Sequence, residues 1–189
     1  PNDYLVTLVP ERATFHRLED GIATNLEIAV STEDDVEVRR LAIMNRSDRT
    51  REIEITSYAE IVLATPAADL AHPAFVKLFV ETEFRPDHSA VLCRRRPGGF
   101  DAEELWAVHV ASLEGRPQGA LECETDRSRF LGRGRGPDNP QALDGRSLSN
   151  TTGATLDPIV SLRQRVRLAP GGFARLSFAT GLTSNLETA

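Results

Sequence analysis

The chain has 189 residues, a formal net charge of −6 and a pI near 5.3. A chain of that length buries roughly 70% of its unfolded surface, so it needs no disulfide to hold a core. The acidic balance excludes partners that require clustered positive potential, so neither a nucleic acid nor an anionic membrane is expected.

No run of about 18 apolar residues occurs, so no direct membrane insertion is expected. No basic start precedes an apolar core, so no signal peptide is read. With Pro1 at the start and Met44 as the only methionine, residues 1–189 read as a single β-sandwich domain excised from a longer protein.

In chain order, the first predicted strand runs from Tyr4 to Val9 and stops at Pro10. Leu26, Ile28 and Val30 alternate with Glu27 and Ala29 in a second. Val36–Met44 changes phase at Arg39-Arg40, which predicts a bulge or a strand moving into a more buried setting. The turn cluster Asn45-Arg46-Ser47-Asp48 leads at once into a strand with Ile53, Ile55, Ser57, Ala59, Ile61 and Leu63 on one face, so the two strands read as a hairpin.

A proline-bounded loop from Thr65 to Pro73 follows, and then a strand with Val76, Leu78, Val80 and Phe84 on one side. Ser89–Arg96 is another strand, stopped by Pro97-Gly98-Gly99, and Arg94-Arg95-Arg96 reads as a solvated hairpin end. Leu105–Leu113 is apolar at both parities and belongs between two layers. Thr125–Leu131 is the one helical turn, capped by Thr125 or Asp126, and Gly132–Pro140 is too rich in breakers for regular structure.

The last alternation puts Val160, Leu162, Gln164, Val166 and Leu168 on one side and Ser161, Arg163, Arg165 and Arg167 on the other. After Pro170-Gly171-Gly172 the apolar face resumes at Ala174, Leu176 and Phe178, so the pair reads as a hairpin with an arginine ridge facing glutamates. Strands about ten residues apart with turn signals between them indicate an all-β, antiparallel sandwich or barrel.

Few residues argue for chemistry. There is no GxSxG elbow and no triad spacing, so no catalytic residue is assigned. His16, His72, His88 and His109 lie far apart without metal-ligand spacing, so no metal is expected. His109 reads as a hydrogen-bonded core histidine, whereas His16 and His72 are the better ligand candidates. Cys93 and Cys123 read as buried free thiols, with a disulfide between them left open. Glu81 and Glu83 share a strand face about 7 Å apart, but nothing sets them across a cleft. The glycine loop lacks the ending of a nucleotide loop. Its Arg133, Arg135, Asp138 and Asn139 suit sugar hydroxyls or a neighbouring domain.

Several motifs in order carry a resemblance: Thr56-Ser57-Tyr58-Ala59-Glu60, His72-Pro73-Ala74-Phe75, Leu78-Phe79-Val80-Glu81-Thr82-Glu83, Arg95-Arg96-Pro97, Phe130-Leu131-Gly132-Arg133-Gly134, Asn139-Pro140-Gln141-Ala142-Leu143, Thr151-Thr152-Gly153-Ala154-Thr155-Leu156-Asp157-Pro158-Ile159 and Phe178-Ala179-Thr180-Gly181. Through almost its whole length the chain resembles the β-sandwich domain of the phosphorylase-like (glycosyltransferase family 36) region of bacterial cyclic β-1,2-glucan synthases. More distantly it is similar to cellobiose and chitobiose phosphorylases.

The resemblance implies a large antiparallel β-supersandwich of galactose-mutarotase-like type beside an (α/α)6 catalytic barrel. In that family the general acid and the phosphate ligands belong to the barrel. The implied role is therefore noncatalytic: to support the barrel, shape its sugar cleft and help dimer contacts, within a bacterial inner-membrane protein. The implied partners are a β-glucan or oligosaccharide, the barrel and a second copy, and no cofactor is implied. The candidates for sugar or barrel contact are His16, His72, Arg133, Arg135, Asn139, Asn150, Thr151, Thr152 and Asp157. A mutarotase-like sugar epimerase and a purely structural or dimerisation module are the alternatives.

Overall fold

A computed structural model describes residues 3–96 and 104–184; the breaker Pro97-Gly98-Gly99 lies outside the described residues. The strands are β1 Asp3–Val9, β2 Arg12–Glu19, β3 Ile22–Val30, β4 Val36–Asn45, β5 Arg51–Thr56, β6 Ala59–Glu60, β7 Val80–Arg85, β8 Ala90–Arg95, β9 Leu105–Glu114, β10 Pro117–Asp126, β11 Gly153–Ala154, β12 Pro158–Leu168 and β13 Phe173–Thr183. Three short helices, α1 Pro66–Ala71, α2 Pro73–Lys77 and α3 Arg127–Leu131, accompany these strands, so the chain is all-β and mostly antiparallel, as expected. The chain divides into two compact units. The first takes the chain through Ile55 with Val110–Ala120 and Gln164–Gly181; the second takes Thr56–His109, Leu121–Arg163 and the chain from Leu182.

In the first unit one sheet has the order β1-β2-β3-β4-β13-β9 and another the order β10-β12-β5. β2 and β3 are joined by Asp20-Gly21, both at positive φ (48° and 76°), as a two-residue type I′ hairpin turn requires. Gly21 is also a close approach, because a Cβ there would sit 2.9 Å from Ser47 Cβ.

Antiparallel pairing sets Val6, Phe15, Leu26, Leu41 and Leu176 in one cross-strand row. Burial falls along that row. Leu176 is 2% exposed and Val6 is 40% exposed, and the neighbouring Tyr4 and Leu8 are 66% and 73% exposed. The outer end of this apolar face is therefore uncovered.

Two predictions fail in this unit and a third is decided between its alternatives. The register of β4 against both β3 and β13 is continuous, so of the two readings of the phase change at Arg39-Arg40 the bulge is excluded, and the strand instead runs into a more buried setting at Ile43 and Asn45. β4 and β5 belong to different sheets, as do β12 and β13. Each predicted hairpin is instead an arch from one sheet to the other.

Asn45 holds both arches. Its Nδ2 donates to the carbonyls of Arg49, Leu168 and Ala169 at 2.7, 3.0 and 3.1 Å. Its Oδ1 accepts the amide and hydroxyl of Ser47. Its main chain exchanges bonds with Gly171 and Gly172.

The second unit contains the sheet β9-β8-β7-β11 and the first half of β12 beside β10 and β6. The helices α1 and α2 occupy the expected loop and the start of the expected strand, which begins only at Val80. Each starts on a proline at its first helical position, and the Thr65 hydroxyl caps α1 by accepting the Ala68 N–H. Asp126 caps α3 through Ser128.

The arginines at the end of β8 stay partly exposed, as expected, and are also engaged. Arg94 pairs with Glu81 at 2.8 Å and lies over Trp106; Arg95 donates to the Val76 carbonyl and Arg96 to that of Leu78. His109 is buried, with its Nε2 2.8 Å from the Ser57 hydroxyl, as expected of a core histidine.

Cys93 and Cys123 are both free and buried, and burial pushes each thiol up to about 12. A thiol-reactive disulfide reagent near pH 8 should therefore modify neither in the native chain and both after unfolding, because only the thiolate attacks. The folded thiols stay neutral while unfolded ones ionise above about 9, so stability should fall as pH rises past that value. Rapid labelling of the native chain would contradict this account.

Phe130, Leu131, Ala142, Leu148 and Ile159 form a buried cluster, with Tyr58 stacked on Phe130 at 4.8 Å. The cluster ties α3, the 3-10 turn Gln141–Leu143 and the segment around Leu148 to the base of β12.

The arginine ridge on β12 meets glutamates of its neighbouring strands as expected, Arg163 facing Glu122 of β10 and Arg165 pairing with Glu54 of β5, but its exposure is uneven. Ser161 and Arg163 are 0% and 1% exposed, Arg165 pairs with Glu54 at 2.6 Å, and Arg167 alone of the three arginines is exposed. The first half of the strand is buried on both faces, so its period of two marks a strand without marking a wet side.

Candidate functional site: a polar cleft beside the glycine loop

The elements held by that cluster enclose a cleft of about 200 Å³ in the second unit, lined by Glu124, Arg129, Gln141, Arg146, Ser147 and Ser149 over an apolar floor of Ala142 and Leu148. Glu124 lies near the end of β10 and is only 2% exposed. Its Oε1 accepts the N–H groups of Thr125 and Asp126 at 3.0 and 3.1 Å, and its Oε2 accepts the Ser149 hydroxyl at 2.5 Å. The Ser149 oxygen is in turn 2.6 Å from the Thr151 hydroxyl.

Two strand positions earlier, Glu122 accepts the Leu148 N–H at 2.8 Å and faces the buried Arg163 at 3.9 Å. Both carboxylates thus fasten the segment that forms the cleft wall. Gln141 lies over Gly132, where a Cβ would come within 2.7 Å of the Gln141 Cβ; with φ at 82° that position requires glycine.

The glycine loop is braced from inside. Arg135 binds both oxygens of Asp144, the Asn139 carbonyl at 2.7 Å and the Asn139 side chain at 2.8 Å. The hydrogen bond from Arg135 holds the Asp144 carboxyl below its usual range. Arg135 and Asn139 therefore act on each other, while Arg133 is exposed on the same loop.

Asn150 adopts the left-handed conformation (φ 54°) and exchanges two hydrogen bonds with the main chain of Cys123. The Thr151 carbonyl accepts the Thr125 hydroxyl at 2.8 Å, and Thr152 is exposed beside it. Gly153 joins β7 through Thr82, whose hydroxyl also reaches Thr125 at 2.8 Å.

Asp157 stands in a charge cluster. Lys77, the only lysine in the chain, is 2.7 Å away, and Arg127 bridges Asp157 and Glu60 at 3.6 and 2.9 Å. A hydrogen bond from Tyr58, aided by Arg127, holds the Glu60 carboxyl below its usual range, while burial raises the Tyr58 hydroxyl.

Arg133, Arg135 and Asn139 lie on the glycine loop before Gln141, and Asn150, Thr151 and Thr152 directly follow the wall residue Ser149; none of the six lines the cleft. His72 is exposed between α1 and α2, and His16 is exposed on β2 in the first unit, opposite Leu5 and Asn25. Sequence reasoning missed Glu124, Gln141, Arg146 and Ser149. In sequence Glu124 is one acid among many, and only its burial distinguishes it.

Chemically the cleft offers a carboxylate, hydroxyls, an amide and guanidinium donors around a small apolar patch, the complement of a hydroxyl-rich ligand. Among the described residues no group of three or more His, Cys, Asp and Glu is placed to hold a metal ion.

All of residues 1–189 match the family described as glycosyl hydrolase 94, supersandwich domain. The chain is 39% identical over 174 residues to the cyclic beta-(1,2)-glucan synthase NdvB of Rhizobium meliloti (strain 1021), covering 90% of this chain and 6% of that protein. It is 27% identical over 171 residues to the solabiose phosphorylase of Paenibacillus borealis, covering 89% and 21%. The chain thus spans a small part of the length of either relative. In fold alone it is similar to heparinase III, with a TM-score of 0.53 and 12% identity over 100% of this chain and 22% of that one. A polysaccharide lyase matches at 0.50 and 12%, over 98% and 26%.

Proposed function

We propose, from the premise that the chain belongs to the glycosyl hydrolase 94 supersandwich domain family, that it is a noncatalytic, carbohydrate-contacting domain of a longer glucan-forming enzyme. The observation that carries this reading is the engagement of Glu124. The carboxylate lines a cleft suited to hydroxyls, yet its oxygens are already held by two main-chain amides and a serine. Such a group orders the wall of a sugar subsite and is poorly placed to take or give protons.

The domain's second role is support. The uncovered apolar row on β1 to β3, with Tyr4, Val6 and Leu8 outermost, is read as the seat of another part of the parent, expected to be its (α/α)6 barrel. The parent is read as a bacterial inner-membrane enzyme of the synthase kind; among the described residues no helix is long and apolar enough to cross a membrane.

Calorimetric titration with linear and cyclic β-1,2-glucans tests the cleft. The chain should bind them, and the Gln141→Ala, Arg146→Ala double variant should weaken binding about tenfold, since each lost hydrogen bond is worth about 1 kcal/mol. Binding unchanged in that variant would sink the assignment. Sedimentation tests the face: a chain that self-associates through β1, with association lost in Val6→Lys, assigns the face to a second copy instead of the barrel.

A further inference from the structure

The first unit holds a second concave site that this reading of the cleft does not use. A groove of about 540 Å³ is lined by Thr50, Arg116, Pro117, Gln118, Arg167 and Ala169. The fold brings these residues together because β10, β12 and β5 are neighbours in that order. Arg116 and Gln118 flank the first residue of β10, Arg167 stands one residue before the end of β12, and Thr50 immediately precedes β5.

Several of the chain's guanidinium groups are neutralised. Arg94, Arg127, Arg135, Arg165 and Arg175 each hold a carboxylate at 2.9 Å or less. Arg116 and Arg167 do not: both are exposed, and among the described residues neither has an ion pair or hydrogen-bond partner. No carboxylate lines the groove, although the chain carries 28 acidic residues against 22 basic ones. Two like charges held over one concavity without a counter-charge repel each other, and they relax when an anion enters.

The Oε1 of Gln118 is buried without a partner, although an amide oxygen is a strong acceptor. It seeks a donor that a bare anion lacks and a hydroxylated one carries. Pro117 and Ala169 add nonpolar wall against which a small carbon skeleton can rest.

We propose that this groove binds an oxyanion, carboxylate or phosphate, carried on a hydroxylated ligand such as an acidic or phosphorylated sugar. The planar forks of Arg116 and Arg167 take the anion by paired hydrogen bonds, Gln118 accepts from a ligand hydroxyl, and Thr50 supplies a further hydroxyl. The assignment does not depend on the cleft, since the two sites share no residue.

The test is titration of the whole chain at low salt with glucose 6-phosphate, glucuronate, inorganic phosphate and glucose. Glucose 6-phosphate or glucuronate should bind, inorganic phosphate more weakly, and glucose not measurably. Whichever of the first two binds tighter identifies the oxyanion. The Arg116→Gln, Arg167→Gln double variant should lose about tenfold or more in affinity, because each guanidinium makes charge-assisted bonds. Its thermal midpoint should stay that of the parent chain, because both side chains are exposed, which separates a lost site from a lost fold. Raised salt should weaken binding in the parent chain. Equal binding of glucose and glucose 6-phosphate, no binding by either anionic sugar, or undiminished affinity in the double variant would each overturn the proposal.

Discussion

Replacing Arg163 by methionine should destabilise the domain by about 3 to 5 kcal/mol, the range for breaking a buried ion pair from one side. The guanidinium is 1% exposed and serves four groups. It donates to the Ala142 carbonyl at 2.5 Å, the Arg146 carbonyl at 2.7 Å and the Thr56 hydroxyl at 2.9 Å, and it faces Glu122 at 3.9 Å. Methionine fills similar space but leaves two carbonyls and a carboxylate without their donor, and each unmade bond costs about 1 to 3 kcal/mol. For a chain of this length the thermal midpoint should fall by about 10 °C.

Adding Glu122→Gln to that variant should recover part of the loss, because the uncompensated charge is then gone. A single variant as stable as the parent chain would show that Arg163 is not what closes the cleft floor around Ala142.

The second large effect is expected at Asn45, which is 0% exposed. Alanine there removes five side-chain hydrogen bonds, three given to carbonyls and two taken from Ser47. A loss of about 3 kcal/mol or more in urea unfolding is the expected result. Aspartate should be worse than alanine despite its equal size, because a carboxylate oxygen would then point at the carbonyls of Arg49, Leu168 and Ala169. If aspartate proves the milder change, the amide orientation assigned to Asn45 is wrong.

These two residues also mark where sequence reasoning stopped. A period of two identified β3, β5, β12 and β13 because alternation is local, and a run apolar at both parities identified β9. Which strand pairs with which is not local, and both expected hairpins became arches between sheets. Asn45 stands in a cluster that reads as a simple turn, and nothing in that cluster says its side chain will reach Leu168.

Arg163 has the same parity as Arg167, yet one is buried and the other exposed, because the strand passes from a covered to an open setting along its length. The Asp20-Gly21 dipeptide is a hairpin-turn signal, yet neither this turn nor β2 was among the expected elements, since Arg12, Thr14, His16 and Arg17 leave β2 with little apolar alternation. α1 and α2 were missed because the two prolines that punctuate the segment read as breakers, while in the structure each starts a helix.

The candidate site shows the same division. The glycine loop and the Thr151-Thr152-Gly153 turn were visible as motifs, but neither lines the cleft, whose wall is the segment 146–149 between them in sequence. Their polar side chains proved to be braces more often than free contacts: Arg135 holds Asp144, Asn150 holds Cys123 and Asp157 holds Lys77. Of the residues that line the cleft, Gln141 belongs to the Asn139-Pro140-Gln141-Ala142-Leu143 motif, whereas Glu124, Arg146 and Ser149 lie outside every quoted motif. Glu124 becomes distinctive only once β10 carries it into the interior and α3 closes above it.

The most direct test of a noncatalytic glucan-contacting role is a titration of isotope-labelled chain with linear β-1,2-glucan, following amide resonances while the solution is assayed for product. The expected result is a saturable shift confined to Gln141 and the Arg146–Ser149 segment, with the glucan recovered unchanged. Shifts absent there at millimolar glucan, or new oligosaccharide or sugar phosphate formed by the chain alone, would contradict it.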